Sequence, residues 1–544
     1  MAHSATGDIV SSFKLREGKY RNIQRAVELV AANFESVLDR HQIAACAVFS
    51  VLYFAWARLI SNHKQLWFDE LVSYSVDHLP TWNDAWRALQ FGVDANPPLF
   101  HLVNRAILGI MGDTNFAQRA SSIFGFWAMS LCVYTIVRRN HSAAASWVAA
   151  LIPACSGAAY YATEARPYGM VLAFVSFAII CWLNAVEATS HRRLWLIGLT
   201  VSLGCAISSH YYAVFTIAPF IGAELTRAAK RKNVDWGILG AVMLSYLPLL
   251  IFYKAGLMTA ANQYIAAKEP ISLLGAVDFW NFTLGPVAAS IAVAVAVAVG
   301  WNCLAGSSPA IDQGFTASRP SPFRANGTLL IAAWFCILPI VVALGARFVT
   351  HANEHRYAIS ALIGAAILLG AGFDALRSAV PGAAGLAILT LLVPVGATAV
   401  VGRDKPRGRH TEYSWSQSVQ SRPELPIAYG MPLEFVQAWY HAPTPELKRR
   451  IVGLVNVKEG LKRTGSVTAD LGVVNLMPAL PVPALDYYRF IRGRQPFYLV
   501  YRPAVTSWVT GKLVEDGASL KLDGVFGPDE LYLVTWPEAG GARP

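Results

Sequence analysis

The amino-acid sequence predicts an all-α polytopic membrane protein with a small α/β or β-rich domain at its carboxyl end. Of its 544 residues, 55% are hydrophobic and only 15% are charged, whereas soluble domains carry about 25% charged residues. The apolar residues form blocks of about 20 residues, the length that one helix needs to cross ~30 Å of hydrocarbon. This composition excludes a soluble enzyme, a disordered chain and a fibrous chain.

Residues 1–42 precede the first apolar block and predict a cytoplasmic amphipathic helix on the membrane surface. Apolar residues recur there at helical spacing among basic ones. They are Ile23, Val27, Val30, Phe34, Val37 and Leu38. The alternative for this segment is an unstructured tail.

Residues 43–401 predict about eleven transmembrane helices. The predicted spans are 43–60, 120–137, 143–161, 168–186, 194–208, 212–226, 237–253, 286–304, 328–346, 357–374 and 379–401. The spans 194–208 and 212–226 are short and nearly adjacent. One kinked helix, and ten spans in total, is therefore the alternative.

Basic residues divide unequally between the two sets of loops, and this bias predicts the orientation. With the amino terminus inside, the inner loops hold 11 Lys or Arg in 49 residues and the outer loops hold 9 in 110. Cytoplasmic loops carry the excess of basic residues. We therefore expect a cytoplasmic amino terminus and, with an odd span count, a carboxyl-terminal domain outside. The net charge of +11 follows this pattern and does not indicate nucleic acid as a partner.

The apolar blocks stop near position 402, so residues 402–544 predict a separate outer domain. Strand-like runs occur at 496–501 and 530–536, and the segment 512–524 between them resembles a hairpin. No catalytic motif stands out in this domain.

Polar residues suited to chemistry gather in the predicted outer loops. The loop 61–119 is far longer than a connector needs, and long loops tend to be functional. It holds the acidic pair Asp69 and Glu70, and Asp94 shortly before two prolines. The apolar segment 98–111 is too short for a span, so we expect a helix lying in the outer interface.

Three further polar clusters fall on the same predicted face of the membrane. They are Glu164, Arg166 and Tyr168; His210 and Tyr211; and His355, Arg356 and Tyr357. Carboxylates, arginines and histidines at one membrane surface can bind a phosphate and move a proton. The alternative is a set of solvated or locally paired side chains, with Arg166 paired to Glu164 and Arg356 to Glu354.

At these residues the chain resembles the GT-C class of integral-membrane glycosyltransferases. The resemblance is to the bacterial branch related to protein O-mannosyltransferases and to transferases that add sugars to lipopolysaccharide. The motifs that carry it are FDE at 68–70, PPL at 97–99, Arg119 with Ser121, EARPY at 164–168, HYY at 210–212 and HRY at 355–357. It covers roughly residues 43–400 and implies a GT-C-like fold in the bacterial inner membrane. In such a membrane, the orientation predicted from the charge bias and the span count places the carboxyl-terminal domain in the periplasm.

The resemblance implies transfer of a sugar from a polyprenyl-phosphate donor to an acceptor hydroxyl on the outer face, with inversion at the anomeric carbon. It makes Asp69 the candidate general base. Glu70 is the reserve, because neighbouring side chains of one element point apart. Arg166 and Arg356, with His355, would hold the donor phosphate, since Arg suits bidentate phosphate contacts.

The remaining polar residues of the clusters are expected to bind substrate. They are Glu164, Tyr168, His210, Tyr211, Tyr357 and Asp94. The acceptor is a lipid, a glycan or a protein, and membrane lipids surround the spans. A divalent cation is possible at Asp69 or Glu354 with a histidine, but no spacing in the loops predicts one, and no other cofactor is expected.

Two rival functions remain open at this point. The first is a transporter or flippase of a lipid-linked sugar, which would place ionisable residues near the bilayer midplane. The predicted spans 120–137, 168–186, 286–304 and 379–401 contain no charged residue, which favours chemistry at the surface. The second makes the outer domain the active part and the membrane part an anchor, although an anchor needs far fewer spans.

Overall fold

The computed structural model describes most of the chain, and the fold is reported for that part. The described residues are 29–30, 33–187, 190–252, 275–285, 287–288, 291, 322–350, 354–376, 384–385, 387–392 and 413–537. Most of the segment 1–42 and most of the predicted spans 286–304 and 379–401 lie outside them. Residues 33–40 of the predicted amphipathic segment are helical.

The described membrane part is helical, and its helices follow the predicted spans. The helices before residue 190 are α1 Gln42–His63, α2 Phe68–Asp77, α3 Trp82–Phe91, α4 Pro98–Met111, α5 Asn115–Arg138, α6 Ala143–Cys155, α7 Ala159–Ala162 and α8 Tyr168–Glu187. Those after it are α9 Arg192–Ser209, α10 Ile217–Arg231, α11 Trp236–Leu244, α12 Leu247–Phe252, α13 Pro322–Cys336, α14 Leu338–Gly345 and α15 Ala361–Leu376. Buried apolar side chains of most of these helices form one continuous core, whereas those of α2 and α3 belong to a second core.

Several described helices have the length and composition of membrane spans. Among the described residues, four helices are long and apolar enough to cross a bilayer: Gln42–His63, Asn115–Arg138, Tyr168–Glu187 and Gly327–Phe348. Shorter apolar helices accompany them at Ala143–Cys155, Trp236–Ile251 and Ala361–Leu376. The chain is a multi-pass membrane protein, as its composition predicts, while the total of ten or eleven spans stays a prediction.

The backbone breaks between the two short predicted spans. Helix α9 ends at Ser209, His210 is extended with φ −152° and ψ 128°, and a 3₁₀ helix at Tyr211–Thr216 leads into α10. The chain therefore forms two helices here, and the break places His210 and Tyr211 at a helix end.

The long outer loop is mostly helical. The predicted helix at 98–111 is confirmed as α4, which begins at Pro98, a residue well suited to the first turn. Helices α2 and α3 are additional. Helix α3 begins at the Thr81 cap, whose hydroxyl accepts from the Asp84 N–H.

The carboxyl-terminal domain is a small α/β domain, in agreement with the prediction. Its strands are β1 Ile427–Tyr429, β2 Ile451–Val455, β3 Ala484–Asp486, β4 Phe497–Tyr501, β5 Ser519–Phe526 and β6 Asp529–Thr535. Its helices are α16 Pro432–Tyr440, α17 Pro445–Arg450, α18 Val457–Thr464, α19 Thr468–Leu476, α20 Tyr487–Ile491 and α21 Val509–Glu515. The strands lie in the order β3-β2-β1-β4-β6-β5 across the sheet. Strands β3, β2, β1 and β4 are parallel to one another, and β6 is antiparallel to both of its neighbours, β4 and β5.

The predicted hairpin at 512–524 is wrong. Its first part belongs to helix α21, which ends before Gly517, a glycine with φ 85° in the left-handed region that favours glycine after a helix. Its second part is β5, and the hairpin is formed by β5 with β6 around Gly527. The Asp-Gly pair that reads as a hairpin turn is thus a helix end.

The carboxyl-terminal domain packs directly on helix α2. Phe68, Leu71 and Val72 of α2 share a buried core with Trp415 and Phe435 of the domain. The His441 ring also forms a hydrogen bond with the Leu66 carbonyl oxygen, which lies 2.8 Å from its Nε2. Because the apolar side of α2 packs against the carboxyl-terminal domain, the helix cannot rotate freely, and the orientation of its polar side is fixed.

Candidate active site

Helix α2 presents its polar residues on two neighbouring faces. Asp69, Ser73 and Asp77 lie four residues apart and therefore share one face. Glu70 and Tyr74 share the next face by the same spacing. The first face meets the arginines of the predicted site, whereas the second meets a structural arginine.

Asp69 pairs with Arg356, a residue from a distant part of the chain. An Nη2 to Oδ2 distance of 3.8 Å separates them, and each side chain is 22% exposed. Among the described residues, the buried Nε of Arg356 has no hydrogen-bond partner. Burial lowers the pKa of Arg356, but Tyr168, Asp69 and Glu354 outweigh it and raise that pKa. A partly exposed carboxylate and a partly exposed cation thus lie side by side.

Arg166 reaches the same end of α2. Its Nη1 donates to the Asp69 carbonyl at 3.1 Å, to the Ser73 hydroxyl at 2.9 Å and to Asp94 Oδ2 at 3.1 Å. Burial opposes its charge, but Asp94 and Asp69 together raise the pKa of Arg166. The two arginines therefore converge on Asp69, one at its carboxylate and one at its backbone.

Asp94 is the buried counter-ion of Arg166. Its Oδ2 accepts from the Ser73 hydroxyl at 2.9 Å, and its Oδ1 accepts from the Asn96 side chain at 2.8 Å. Burial would raise its pKa, yet Arg166, His101 and these hydrogen bonds hold the pKa of Asp94 below its ordinary value. Asp94 is thus an ionised anchor for the arginine.

A second polar chain ties helix α4 to the end of α2. His101 Nδ1 lies 2.8 Å from Asp77 Oδ1, and its Nε2 lies 3.5 Å from Asp94 Oδ2. The Asn104 amide donates to Asp77 Oδ2 at 2.6 Å. The sequence analysis did not identify Ser73, Asp77, His101 or Asn104. Their spacing of three or four residues along two helices was the available signal.

Glu70 is fully buried in a bidentate pair with Arg119. Arg119 donates from Nε to Oε1 at 2.7 Å and from Nη2 to Oε2 at 2.9 Å. The Ala165 N–H donates to Oε1 at 2.8 Å. Burial raises the pKa of Glu70, but Arg119 and Lys64 outweigh it and hold that pKa below its ordinary value. Every oxygen of Glu70 is thus engaged inside the protein.

Glu164 forms a second buried pair, with Lys64. Its Oε1 lies 3.7 Å from the Lys64 Nζ, and both side chains are fully buried. Burial raises the pKa of Glu164 to about 7, Lys64 lowers it, and Glu70 and Asp69 raise it. The predicted alternative in which Arg166 pairs with Glu164 is therefore wrong, since Arg166 pairs with Asp94.

Aromatic rings border the position between the two arginines. His210 lies 5.4 Å from Tyr168 and 5.7 Å from Tyr357, measured between ring centroids. Tyr212 stacks on Tyr357 at 3.8 Å. The His355 ring stacks on Phe282 at 5.1 Å and so faces an apolar neighbour.

His210 is a neutral hydrogen-bonding group in this structure. Burial, and then Arg166 and Arg356, lower its pKa to about 3. Its Nδ1 accepts from the Tyr212 N–H at 3.2 Å, so the ring proton resides on Nε2. Burial and the charge of Asp94 raise the pKa of the neighbouring Tyr211 to about 12.

The described residues do not form an obvious metal site. Within the described ranges, no group of three or more His, Cys, Asp or Glu side chains is arranged to hold a metal ion. Asp69 pairs with the cationic side chain of Arg356, whereas a metal site would need another ligand such as a carboxylate at that position. A divalent cation at Asp69 or Glu354 therefore stays an untested expectation.

Comparison with known families covers part of the membrane region. Residues 95–253 match a family model described as dolichyl-phosphate-mannose-protein mannosyltransferase. For that part of the chain, the match confirms the resemblance to protein O-mannosyltransferases that the motifs EARPY and HYY carry. No curated protein matches the sequence.

Solved structures with some likeness to this chain are distant in sequence. ArnT from Cupriavidus metallidurans bound to undecaprenyl phosphate is 12% identical, with 89% of this chain and 98% of that chain covered and a TM-score of 0.47. An Archaeoglobus fulgidus oligosaccharyltransferase in complex with zinc and sulfate is 11% identical, with 84% and 72% covered and a TM-score of 0.39. AglB from the same organism, with an inhibitory peptide and a dolichol-phosphate, is 12% identical, with 91% and 74% covered and a TM-score of 0.37.

Proposed function

We propose that the chain is a GT-C-class glycosyltransferase that moves a sugar from a polyprenyl-phosphate donor to an acceptor hydroxyl at the outer membrane surface. The observation that carries the proposal is the pair of Asp69 and Arg356, which sets a partly exposed carboxylate 3.8 Å from a partly exposed guanidinium. Arg166 adds a second positive charge at the same helix end. The family match over residues 95–253, whose name contains a dolichyl-phosphate sugar, supports this donor class.

Arg356 is the group that would hold the leaving phosphate. Its side chain is 22% exposed, and among the described residues its buried Nε has no hydrogen-bond partner. A lipid phosphate lies at the membrane interface, so a planar guanidinium there can grip two of its oxygens at once. As the sugar leaves, negative charge grows on the phosphate, and the interaction strengthens in the transition state.

Arg166 would act mainly by positioning. Its Nη1 already contacts the Asp69 carbonyl, the Ser73 hydroxyl and Asp94. It therefore fixes the backbone that carries the base and adds positive potential near the phosphate. Glu70 has a structural role in this proposal, because Arg119 and backbone groups occupy both of its oxygens.

Asp69 would accept the proton of the acceptor hydroxyl. The hydroxyl oxygen attacks the anomeric carbon as the bond from that carbon to the phosphate oxygen breaks, and the bonding electrons leave with the phosphate. The proton passes to the Asp69 carboxylate. An attack opposite the leaving group inverts the anomeric configuration. Arg356 beside Asp69 places both partners of this displacement in one small volume.

His210 and its neighbouring rings would bind the sugar. With Nδ1 engaged by the Tyr212 N–H, Nε2–H is left to donate to a sugar or phosphate oxygen. Tyr168, Tyr357 and Tyr211 border the same position and offer ring faces and hydroxyl groups. Glu164 lies behind this surface, paired with Lys64.

A panel of lipid-linked sugars tests this function. Purified protein in nanodiscs is incubated with polyprenyl-phosphate sugars of several kinds, and release of polyprenyl phosphate is measured with and without envelope glycolipids. Release that requires Asp69 supports the proposal. Intact donors that are instead carried across the bilayer of sealed vesicles would support the flippase and refute it. A parallel reaction with EDTA tests whether a divalent cation takes part.

A further inference from the structure

A second polar cleft lies beside the proposed active site. It has a volume of about 320 Å³ and opens between the outer end of α1, the start of α5 and the carboxyl-terminal domain. The side chains that give it its character are Asn62, Gln65, Tyr74, Asn115, Gln118 and Tyr440. The proposed transfer reaction uses none of them.

Helix α2 separates this cleft from the proposed base. Tyr74 lines the cleft and shares its helix face with Glu70, whereas Asp69 lies on the adjacent face toward Arg166. Neither Asp69 nor Arg356 lines the cleft, so the cleft is distinct from that pair although Tyr74 lies on the same helix as Asp69.

The lining of the cleft suits hydroxyl groups. Side-chain amides both donate and accept hydrogen bonds, which matches the double capacity of a hydroxyl. Gln118 is only 1% exposed, and its Nε2 donates to Asp113 at 2.5 Å, while its Oε1 has no hydrogen-bond partner among the described residues. A buried acceptor without a donor is unfavourable, and a ligand hydroxyl that reaches it would satisfy it.

Two aromatic rings complete the wall. Tyr74 and Tyr440 meet edge to face with their centroids 5.5 Å apart, one ring from the membrane part and one from the carboxyl-terminal domain. Ring faces bind the apolar C–H faces of small polar molecules. The cleft therefore combines amide groups with ring faces.

The charge of the cleft disfavours an anionic ligand. Lys64 is the one Lys or Arg among the described lining residues. Its Nζ donates to the Thr163 carbonyl at 3.2 Å and lies 3.7 Å from Glu164, so its charge is directed inward. At the cleft edge, Asp113 contributes a negative charge that is about half exposed. The two lining histidines, His63 and His441, each bond to a backbone carbonyl. Among the described lining residues, a phosphate would therefore meet no Lys or Arg that is directed toward it.

We infer that this cleft binds a neutral sugar unit. Its volume is at the lower end of the range of about 300–1,000 Å³ for small-molecule sites, which suits a ligand of monosaccharide size. If the proposed function holds, the sugar belongs to a glycan-bearing acceptor that is anchored beside Asp69 while another part of it reaches the base. Binding of the sugar itself does not depend on catalysis.

Saturation-transfer NMR on the full chain in nanodiscs, without donor, tests the inference. The probes are the methyl glycosides of glucose, galactose, mannose and N-acetylglucosamine, with glucose 6-phosphate as the anionic comparison. We expect at least one neutral glycoside to bind and glucose 6-phosphate to bind more weakly. Signal from none of the neutral glycosides, or stronger binding of the phosphate, would overturn the inference.

Variants then locate the binding. Gln118→Leu keeps the size of the side chain but removes its acceptor, so affinity should fall about 2- to 10-fold, the effect of one neutral hydrogen bond. Tyr440→Leu should weaken binding through loss of the ring. Asn83→Ala, at an exposed amide of α3 outside the cleft, should leave binding unchanged. Equal affinity in all three variants would place the sugar elsewhere and refute the cleft.

A labelled probe separates this inference from the proposed function. A neutral disaccharide that carries a diazirine should crosslink to peptides with Tyr74 or Tyr440, in wild type and in Asp69→Asn alike. Crosslinks confined to other peptides would overturn the inference. Failure of sugar transfer would leave the crosslinking result unaffected, because no donor is present.

Discussion

The buried pair of Glu70 and Arg119 should dominate the stability of the outer face. Arg119 donates to both oxygens of Glu70 and to the carbonyls of Ser61, Lys64 and Gln65. Both side chains are fully buried. In Glu70→Gln, the Arg119 guanidinium stays buried beside an uncharged amide. The amide has only one oxygen and can therefore accept only one of the two hydrogen bonds that Arg119 donates to the carboxylate. Removal of one partner from a buried pair costs about 3–5 kcal/mol.

Thermal unfolding in detergent, followed by intrinsic tryptophan fluorescence, measures this loss. Glu70→Gln should lower the melting temperature markedly. The double variant Glu70→Gln with Arg119→Met should recover part of the loss, since no unpaired charge stays buried. The exposed pair of Arg449 and Glu446, 3.2 Å apart and about 70% exposed, is the matched control. Glu446→Gln should have almost no effect. A Glu70→Gln protein as stable as wild type would refute the reasoning.

Three further predictions concern phosphate, pH and orientation. Arg356→Lys and Arg166→Lys should each reduce transfer about 10- to 100-fold, since a lost contact to a charged group is worth about 1.5–3 kcal/mol; unchanged donor dependence in Arg356→Lys would exclude a phosphate contact by Arg356. Burial raises the pKa of Glu164 from 4.5 to about 7. The folded state therefore binds this proton more tightly than the unfolded state does. The resulting contribution to stability is fully present below about pH 4.5 and is lost as the pH rises through 7. Glu164→Gln should therefore gain melting temperature relative to wild type from pH 4.5 to 8, and a constant difference would contradict this. A thiol in place of the exposed Lys521 should react with an impermeant reagent in intact spheroplasts, whereas labelling only after lysis would invert the predicted topology.

The membrane helices were predictable because their signal is local. A block of apolar residues long enough to cross a bilayer identifies a helix wherever it occurs, and α1, α5 and α8 lie where those blocks are. Helices α2 and α3 escaped prediction since each has only 10 residues and mixes polar with apolar positions. The strand order of the carboxyl-terminal sheet depends on pairing between distant segments, which a local pattern does not contain.

The sequence predicts which polar clusters form the site, but it does not predict which side chains of these clusters pair with one another. Polar groups at helix ends on one face must lie near one another, which is why Asp69, Arg166 and Arg356 were identified together. Their partners depend on how the loops between the helices fold. Arg166 pairs with Asp94 and Glu164 pairs with Lys64, and all four residues lie outside the helices. No separation along the chain encodes that choice.

The role of Asp69 is the central claim, and one kinetic comparison tests it most directly. Asp69→Asn keeps the shape of the side chain and removes its ability to accept a proton. With the best lipid-linked donor from the panel, single-turnover release of polyprenyl phosphate should fall about 10²- to 10⁴-fold, while donor binding and the melting temperature stay close to wild type. Release at a near wild-type rate by a well-folded Asp69→Asn protein would contradict the proposed mechanism.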